Sequence, residues 1–141
     1  MWLLDTCVIS EMRKASSGTA DQRVMRWAGS HAIHQLYLSA ITVKELVYGV
    51  LLVERRDPVQ GRRLRAWLEP ALAEFAGRIL AVDERVARQA AELHLPDPTP
   101  EADAYIGATA LTHDLCVVTR NVRDFARFGA LRLENPWGDD S

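Results

Sequence analysis

Short apolar runs alternate along this chain with longer stretches in which apolar residues recur at helical spacing, a pattern that predicts an α/β chain with a parallel sheet. The runs at 2–4, 36–38, 78–82, 116–119 and 131–133 are the predicted strands. Between the first two, the spacing predicts helix over 9–14 and again over 19–31, broken at Ser16-Ser17-Gly18. Residues 42–53 are strongly apolar until Asp57-Pro58 interrupts them. The helix predicted over 59–76 carries Trp67, Leu68, Ala71, Leu72 and Phe75 on one face, with a kink expected at Pro70. Asp83 is placed to cap a helix bearing Val86, Ala87, Ala90 and Leu93. In "LPDPTPEAD" a loop ends in a helix start, with Thr99 as N-cap, Pro100 at the first helical position and Glu101 complementing the helix dipole.

Length and composition narrow the class. A chain of 141 residues predicts one domain, 1–141, able to bury its own core. Hydrophobic content of 48% with 26% charged residues is globular, and no apolar run is long enough to cross a bilayer. The first apolar run lacks a basic flank and a cleavage site, so no signal peptide is read and a cytoplasmic location is expected. Cys7 and Cys116 lie far apart beside apolar runs and read as small hydrophobic thiols. A net charge of −2 excludes bulk attraction to nucleic acid, yet Arg55, Arg56, Arg62, Arg63 and Arg65 crowd into one stretch. That stretch is read as a solvated helix face or as a strip that binds phosphate or carboxylate.

In an open parallel sheet, ligands bind at the carboxyl ends of the strands. Asp5 ends the first strand. Glu45 lies early in the helix entered through "SAITVKEL", and Asp103 lies near the start of the one that reads "DAYIGATAL". Gly107, one turn on from Asp103, predicts open space beside it. Asn121 and Asp124 follow the fourth strand in "VVTRNVRDF". Each acid alone reads as a cap or a solvated charge. Converging on one crevice, they would repel one another unless a cation held them. Carboxylates without histidine or thiolate ligands select Mg²⁺ or Mn²⁺, and metal-assisted phosphodiester hydrolysis is the natural chemistry. The hydroxyls of Thr6, Ser10, Ser39 and Thr119 are expected to orient the acids, as is Asn121.

Four stretches then carry a resemblance. "LLDTCVISE", "YLSAITVKELVYGV", "EADAYIGATAL" and "VVTRNVRDF" resemble the PIN-domain ribonucleases, in particular the toxins of VapC-type toxin–antitoxin pairs, and "ENPW" at 134–137 is similar to the FitB-type branch. The resemblance implies a PIN-like α/β domain whose central parallel sheet of about five strands is flanked by helices. It also implies an acidic site that takes Mg²⁺, with Mn²⁺ able to substitute, and RNA as substrate. A homodimer and a cognate antitoxin that blocks the site and alone brings DNA binding are implied too. Asp5, Glu45 and Asp103 match the family's three best-defined acids, Asp5 and Asp103 as metal ligands. Asn121 stands where some members carry aspartate, which leaves Asp124 as the alternative fourth acid. Cys7 stands where an asparagine usually follows "DT".

Other readings fare less well. His31 and His34 have no third ligand nearby for a zinc site, and His94 and His113 fall at predicted helix ends, where Asp114 caps. A phosphoacceptor or phosphatase-like domain wants a lysine after a late strand, and the only lysines are Lys14 and Lys44. No glycine-rich phosphate loop is present. A catalytically weak binding module acting through its antitoxin complex is the remaining alternative. The stripe Leu46, Val47, Tyr48, Val50, Leu51 and Val53 reads first as core and second as a groove for a partner helix, flanked by the arginines.

Overall fold

In the computed structural model, which describes residues 1–138, the predicted strands assemble into one five-stranded sheet in the order β3-β2-β1-β4-β5. The strands are β1 (Trp2–Leu4), β2 (Leu36–Ser39), β3 (Ile79–Leu80), β4 (Cys116–Val118) and β5 (Leu133–Glu134), and every pairing is parallel. The helices are α1 (Thr6–Arg13), α2 (Gln22–Gly29), α3 (Ala40–Arg56), α4 (Pro58–Ala73), α5 (Glu84–Leu93), α6 (Glu101–His113) and α7 (Val122–Ala126).

Strand alternation explains the layering. Leu3 and Val117 point to one face of the sheet and pack with α5, α6 and α7 through Val86, Ala90, Ile106, Ala108 and Phe125. Leu4 and Val118 point to the other and pack with α1 to α4 through Val8, Val24, Leu46, Val50 and Leu68, with Trp137 completing the layer. Being covered on both faces is why the strands read as continuous apolar runs.

Short side chains start the helices. Asp21 accepts from the Arg23 N–H, Ser39 from Ile41, Asp57 from Gln60 and Asp83 from Val86, satisfying amides that lack helical partners. Asp57-Pro58 thus both ends α3 and opens α4, with Pro58 in the first turn.

The structure corrects several boundaries. The first helix begins at Thr6, because Asp5 caps it. The second begins only at Gln22, after a 3₁₀ turn over Lys14–Ser17 that ends on Gly18 at φ 73°. Thr99 does not cap α6: its N–H donates to His94 Nδ1, and Pro100 occupies the cap position with no side-chain bond. Helix α4 runs through Pro70 and stops three residues later. The last strand shifts to Leu133–Glu134, where the ladder sets Leu133 opposite Val117. Asp114 ends α6 in the left-handed conformation at φ 54°.

The apolar stripe on α3 divides. Leu46 and Val50 are buried in the core, whereas Tyr48, Leu51 and Leu52 are about half exposed. Helices α3 and α4 form a tight hairpin, since a Cβ on Gly61 would sit 2.4 Å from Glu54 Cα. The same hairpin is clamped by Arg65, whose guanidinium donates to both Glu54 oxygens at 2.7 and 2.9 Å and to Glu69 at 3.1 Å. Arg65 therefore does not belong to the open arginine strip. Among the described residues, no helix is long and apolar enough to cross a membrane.

Candidate active site

The sheet order reverses direction at β1, with β2 on one side and β4 on the other, so the ends of β1 and β4 open onto the crevice of a doubly wound sheet. The Asp5 N–H continues the ladder to Val118 O at 2.9 Å and delivers its carboxylate to that edge. Oδ1 accepts the Thr6 N–H at 2.8 Å, and Oδ2 accepts the Thr119 hydroxyl at 2.7 Å and the Cys7 thiol at 3.7 Å. Burial lifts the Asp5 pKa above its ordinary value, and the Glu45 charge adds to that rise. Bonds from Thr119, Thr6 and Cys7 oppose it by favouring the ionised form.

Ser39 caps α3, and Glu45 follows in that helix's second turn. There Oε1 accepts the Thr6 hydroxyl at 2.6 Å, which itself lies 3.2 Å from Thr42 Oγ1. Thr6 thus joins the two acids, by its amide to Asp5 and by its hydroxyl to Glu45. Asp103 sits in the first turn of α6 and is pushed up to about 6, first by burial and then by the charges of Asp5, Asp124 and Glu45. The charges of Asp5, Asp124 and Glu45 are thus felt at Asp103, although the four acids come from separate segments of the chain. Asp124 lies in the first turn of α7 and is exposed.

The hydroxyls divide by contact. Thr6 and Thr119 touch the acids, but Ser39 spends its hydroxyl on the Ile41 N–H, and Ser10 bonds neither acid. Asn121 reaches the site by its backbone, donating its N–H to Thr119 Oγ1 at 2.9 Å, while its side chain is exposed. Gly107 does not leave open space: a Cβ there would meet Phe128 at 2.9 Å and Leu93 at 3.3 Å, so its smallness lets α6 pack against α5 and the turn that follows α7. Cys7 accepts the Arg120 N–H at 3.5 Å, and burial followed by the Asp5 charge pushes its thiol up.

The "ENPW" stretch fastens the end of β5 to α2 and to the core layer of α1 to α4. Glu134 Oε2 accepts the Trp27 indole N–H at 2.8 Å, Asn135 Oδ1 accepts the Trp137 N–H at 2.9 Å, and Trp137 is buried. The Arg120 guanidinium lies 5.5 Å from the Trp137 ring centroid. Arg55, Arg56, Arg62 and Arg63 are exposed.

The donors facing the crevice are carboxylate and hydroxyl oxygens with one neighbouring thiol, a set suited to a hard divalent ion. Among the described residues, no three histidine, cysteine, aspartate or glutamate side chains are grouped closely enough to hold an ion unaided. An ion held by these side chains would need water or substrate oxygens to complete its shell, as Mg²⁺ commonly does.

Comparison with known proteins bears on this arrangement. A family model described as the PIN domain matches residues 2–131. The chain is 40% identical over 144 residues to the VapC ribonuclease Y4jK of Sinorhizobium fredii, covering 97% of this chain and 98% of that protein. It is 42% identical over 147 residues to Toxin FitB of Neisseria gonorrhoeae, covering 99% and 100%. Among solved structures, FitAcB from Neisseria gonorrhoeae superposes with a TM-score of 0.81 at 39% identity, covering 97% of this chain and 99% of that one. FitAB bound to a DNA fragment superposes at 0.82 and 36% identity, covering 98% and 96%.

Proposed function

The chain belongs to the PIN-domain family, and from that premise we propose that it is the toxin of a toxin–antitoxin pair, an endoribonuclease dependent on Mg²⁺ or Mn²⁺. The observation that carries this reading is the pairing of Asp5 with Glu45 through Thr6, whose amide bonds one acid and whose hydroxyl bonds the other, and the charges of Asp5, Asp124 and Glu45 that help raise Asp103 to about 6 support it. Such mutual repulsion is relieved by a divalent cation. Asp5 and Asp103 are the residues to hold it. When bound, the ion polarises the phosphoryl oxygens and acidifies a water for in-line attack.

The chain's own residues do the rest. Thr119 and the Thr6 amide fix the Asp5 carboxylate in one orientation and favour its ionised form against burial. Glu45, steadied by the Thr6 hydroxyl, is placed to take a proton from the attacking water. Asp124, exposed at the rim, adds negative charge that strengthens cation binding.

A small antitoxin is the proposed partner, supported by the FitAB and FitAcB assemblies among the similar structures. DNA reaches this chain only through that partner, in keeping with a net charge of −2 and with the DNA-bound form of FitAB. We place the protein in the cytoplasm, acting as one domain over 1–141. A homodimer has an apolar surface to use in the exposed Tyr48, Leu51 and Leu52. Sedimentation of Leu51→Glu against the parent tests it, with dissociation expected.

The alternative of a catalytically weak binding module draws on the absence of a grouped metal cage among the described residues. The deciding experiment is cleavage of cellular RNA by purified protein freed of its partner, in Mg²⁺, in Mn²⁺ and in EDTA. Asp5→Asn and Asp103→Asn are expected to stop cleavage while keeping the parent's circular dichroism. Cleavage by Asp103→Asn at the parent rate removes this reading, and intact RNA with a stable antitoxin complex supports the weak module.

A further inference from the structure

A site built of carboxylates repels the polyanion it is proposed to cut, so positive charge has to be supplied beside it. Two adjoining clefts supply it. The first, about 370 Å³, is bounded by Thr6 and Glu45 of the acidic site and by Arg13, Arg56, Gln60 and Trp67. The second, about 530 Å³, shares Arg13, Gln60 and Trp67 and adds Lys14 and Arg63. Together they form a groove from Glu45 outward between α1 with its following turn and the α3–α4 hairpin.

Position sets these cations apart, since Arg55, Arg62 and Arg85 are equally exposed and unpaired among the described residues but line neither cleft. Arg65, Arg23, Arg88 and Arg132 are engaged by carboxylates. The side chains of Arg13, Arg56 and Arg63 are exposed and make no ion pair or hydrogen bond among the described residues, and the Lys14 ammonium has only a 3.4 Å contact to Glu11. Three guanidinium groups from three helices, α1, α3 and α4, therefore line one groove without a carboxylate partner. Trp67, half-buried between them, offers an aromatic surface to both clefts.

We infer that this groove is the substrate-strand site of the acidic centre, binding single-stranded RNA with its phosphates on Arg13, Arg56 and Arg63 and a base against Trp67. The inference rests on the ribonuclease reading and goes beyond it by assigning the track. Guanidinium groups pair with phosphate in bidentate fashion. Stacking on an aromatic ring requires a base already out of a duplex, which selects a single strand. The groove starts at Glu45, where the scissile phosphate has to lie. The sequence stretch 55–65 thus splits: Arg56 and Arg63 face the groove with Arg13 from α1, and Arg65 is a strut.

The test uses the full chain freed of its partner, a fluorescein-labelled single-stranded RNA of mixed sequence, and EDTA to prevent cleavage. Anisotropy is read across a salt series for the parent, for Arg13→Gln/Arg56→Gln/Arg63→Gln, for Trp67→Ala, and for an equal-charge control, Arg55→Gln/Arg62→Gln/Arg85→Gln. Each phosphate contact on a single strand contributes a slope of about −0.7 in log affinity against log salt, so the groove triple variant is expected to flatten the slope by about 2 and to weaken binding at least tenfold. Trp67→Ala is expected to weaken binding about tenfold with the slope unchanged. The control triple stays close to the parent. Equal losses in groove and control triples overturn the inference, as does parent-like RNA binding by the groove triple, including the case in which that variant loses its antitoxin instead because the groove holds an acidic protein segment. If Trp67→Ala does not fold, the arginine variants decide alone. Cleavage in Mg²⁺ is scored separately. Groove-dependent binding without cleavage keeps the groove and removes the ribonuclease reading, and cleavage without groove dependence does the reverse.

Discussion

Thr119, at the end of β4, donates its hydroxyl proton to Asp5 at 2.7 Å across the junction with β1, and the same oxygen accepts the Asn121 N–H at 2.9 Å. The bond favours the ionised form of Asp5 and so opposes the rise that burial causes. Thr119→Val keeps the shape and removes the donor, so the Asp5 pKa should rise further and Mn²⁺ affinity should fall roughly tenfold to a hundredfold. Thr119→Ser should recover most of the loss. Calorimetric titration of Mn²⁺ at neutral pH reads both, and an unchanged affinity in Thr119→Val shows that the hydroxyl does not serve the site.

Asp103 predicts a pH dependence with a defined sign. Its ordinary value is 3.8 and its folded value is about 6. Between these values the unfolded chain has already lost the proton that the folded chain keeps, so stability is present below 3.8 and is lost as pH rises through about 6. Asp103→Asn carries no charge to lose. In EDTA, its melting temperature should exceed the parent's at pH 7.5, and the two should converge near pH 4. A gap of equal size at both pH values shows that the folded protein does not raise the Asp103 pKa.

Asp124 and Asn121 should behave differently. Only the carboxylate adds charge near a divalent ion, and the Asp124 charge is one cause of the raised Asp103 pKa. Asp124→Asn should weaken Mn²⁺ binding more than Asn121→Ala does. Followed by carbon-detected NMR in metal-free protein, the Asp103 carboxyl of Asp124→Asn should titrate below the parent's value. An unmoved titration means that Asp124 points away from the crevice.

The α3–α4 hairpin rests on Gly61. Its missing Cβ would lie 2.4 Å from Glu54 Cα, backbone that cannot yield without parting the helices. Gly61→Ala should cost about 1–3 kcal/mol. Gly49 has nothing within 4 Å of the same position on α3, so Gly49→Ala should be neutral or stabilising by up to about 1 kcal/mol. Urea unfolding midpoints distinguish the two, and equal shifts would show that helix propensity rather than close approach governs Gly61.

Much of this protein was legible in its sequence, because the interactions involved are short in range. Asp83 caps the helix that follows it by satisfying an amide three positions on, Asp57-Pro58 breaks the helix before it, and apolar runs such as Leu3-Leu4 and Val117-Val118 announce strands buried on both faces. That Asp5 ends a strand, and so faces the ligand crevice, follows from the same local grammar. Tertiary structure alone decided what depends on groups brought together from distant positions. Gly107 looked like room for an approaching ligand and is filled by Phe128, Arg65 looked free and is held by Glu54, and Ser39 looked like a partner for an acid and caps its own helix. Helix α7 is one short turn and a half whose single buried residue, Phe125, shows no periodicity to read. The union of Arg13 with Arg56 and Arg63 lies in no window of the chain, because it arises where α1 meets the α3–α4 hairpin, and Asp103 is raised by charges that sequence spacing cannot measure: through-space distance and burial, which only the packed chain sets, fix both.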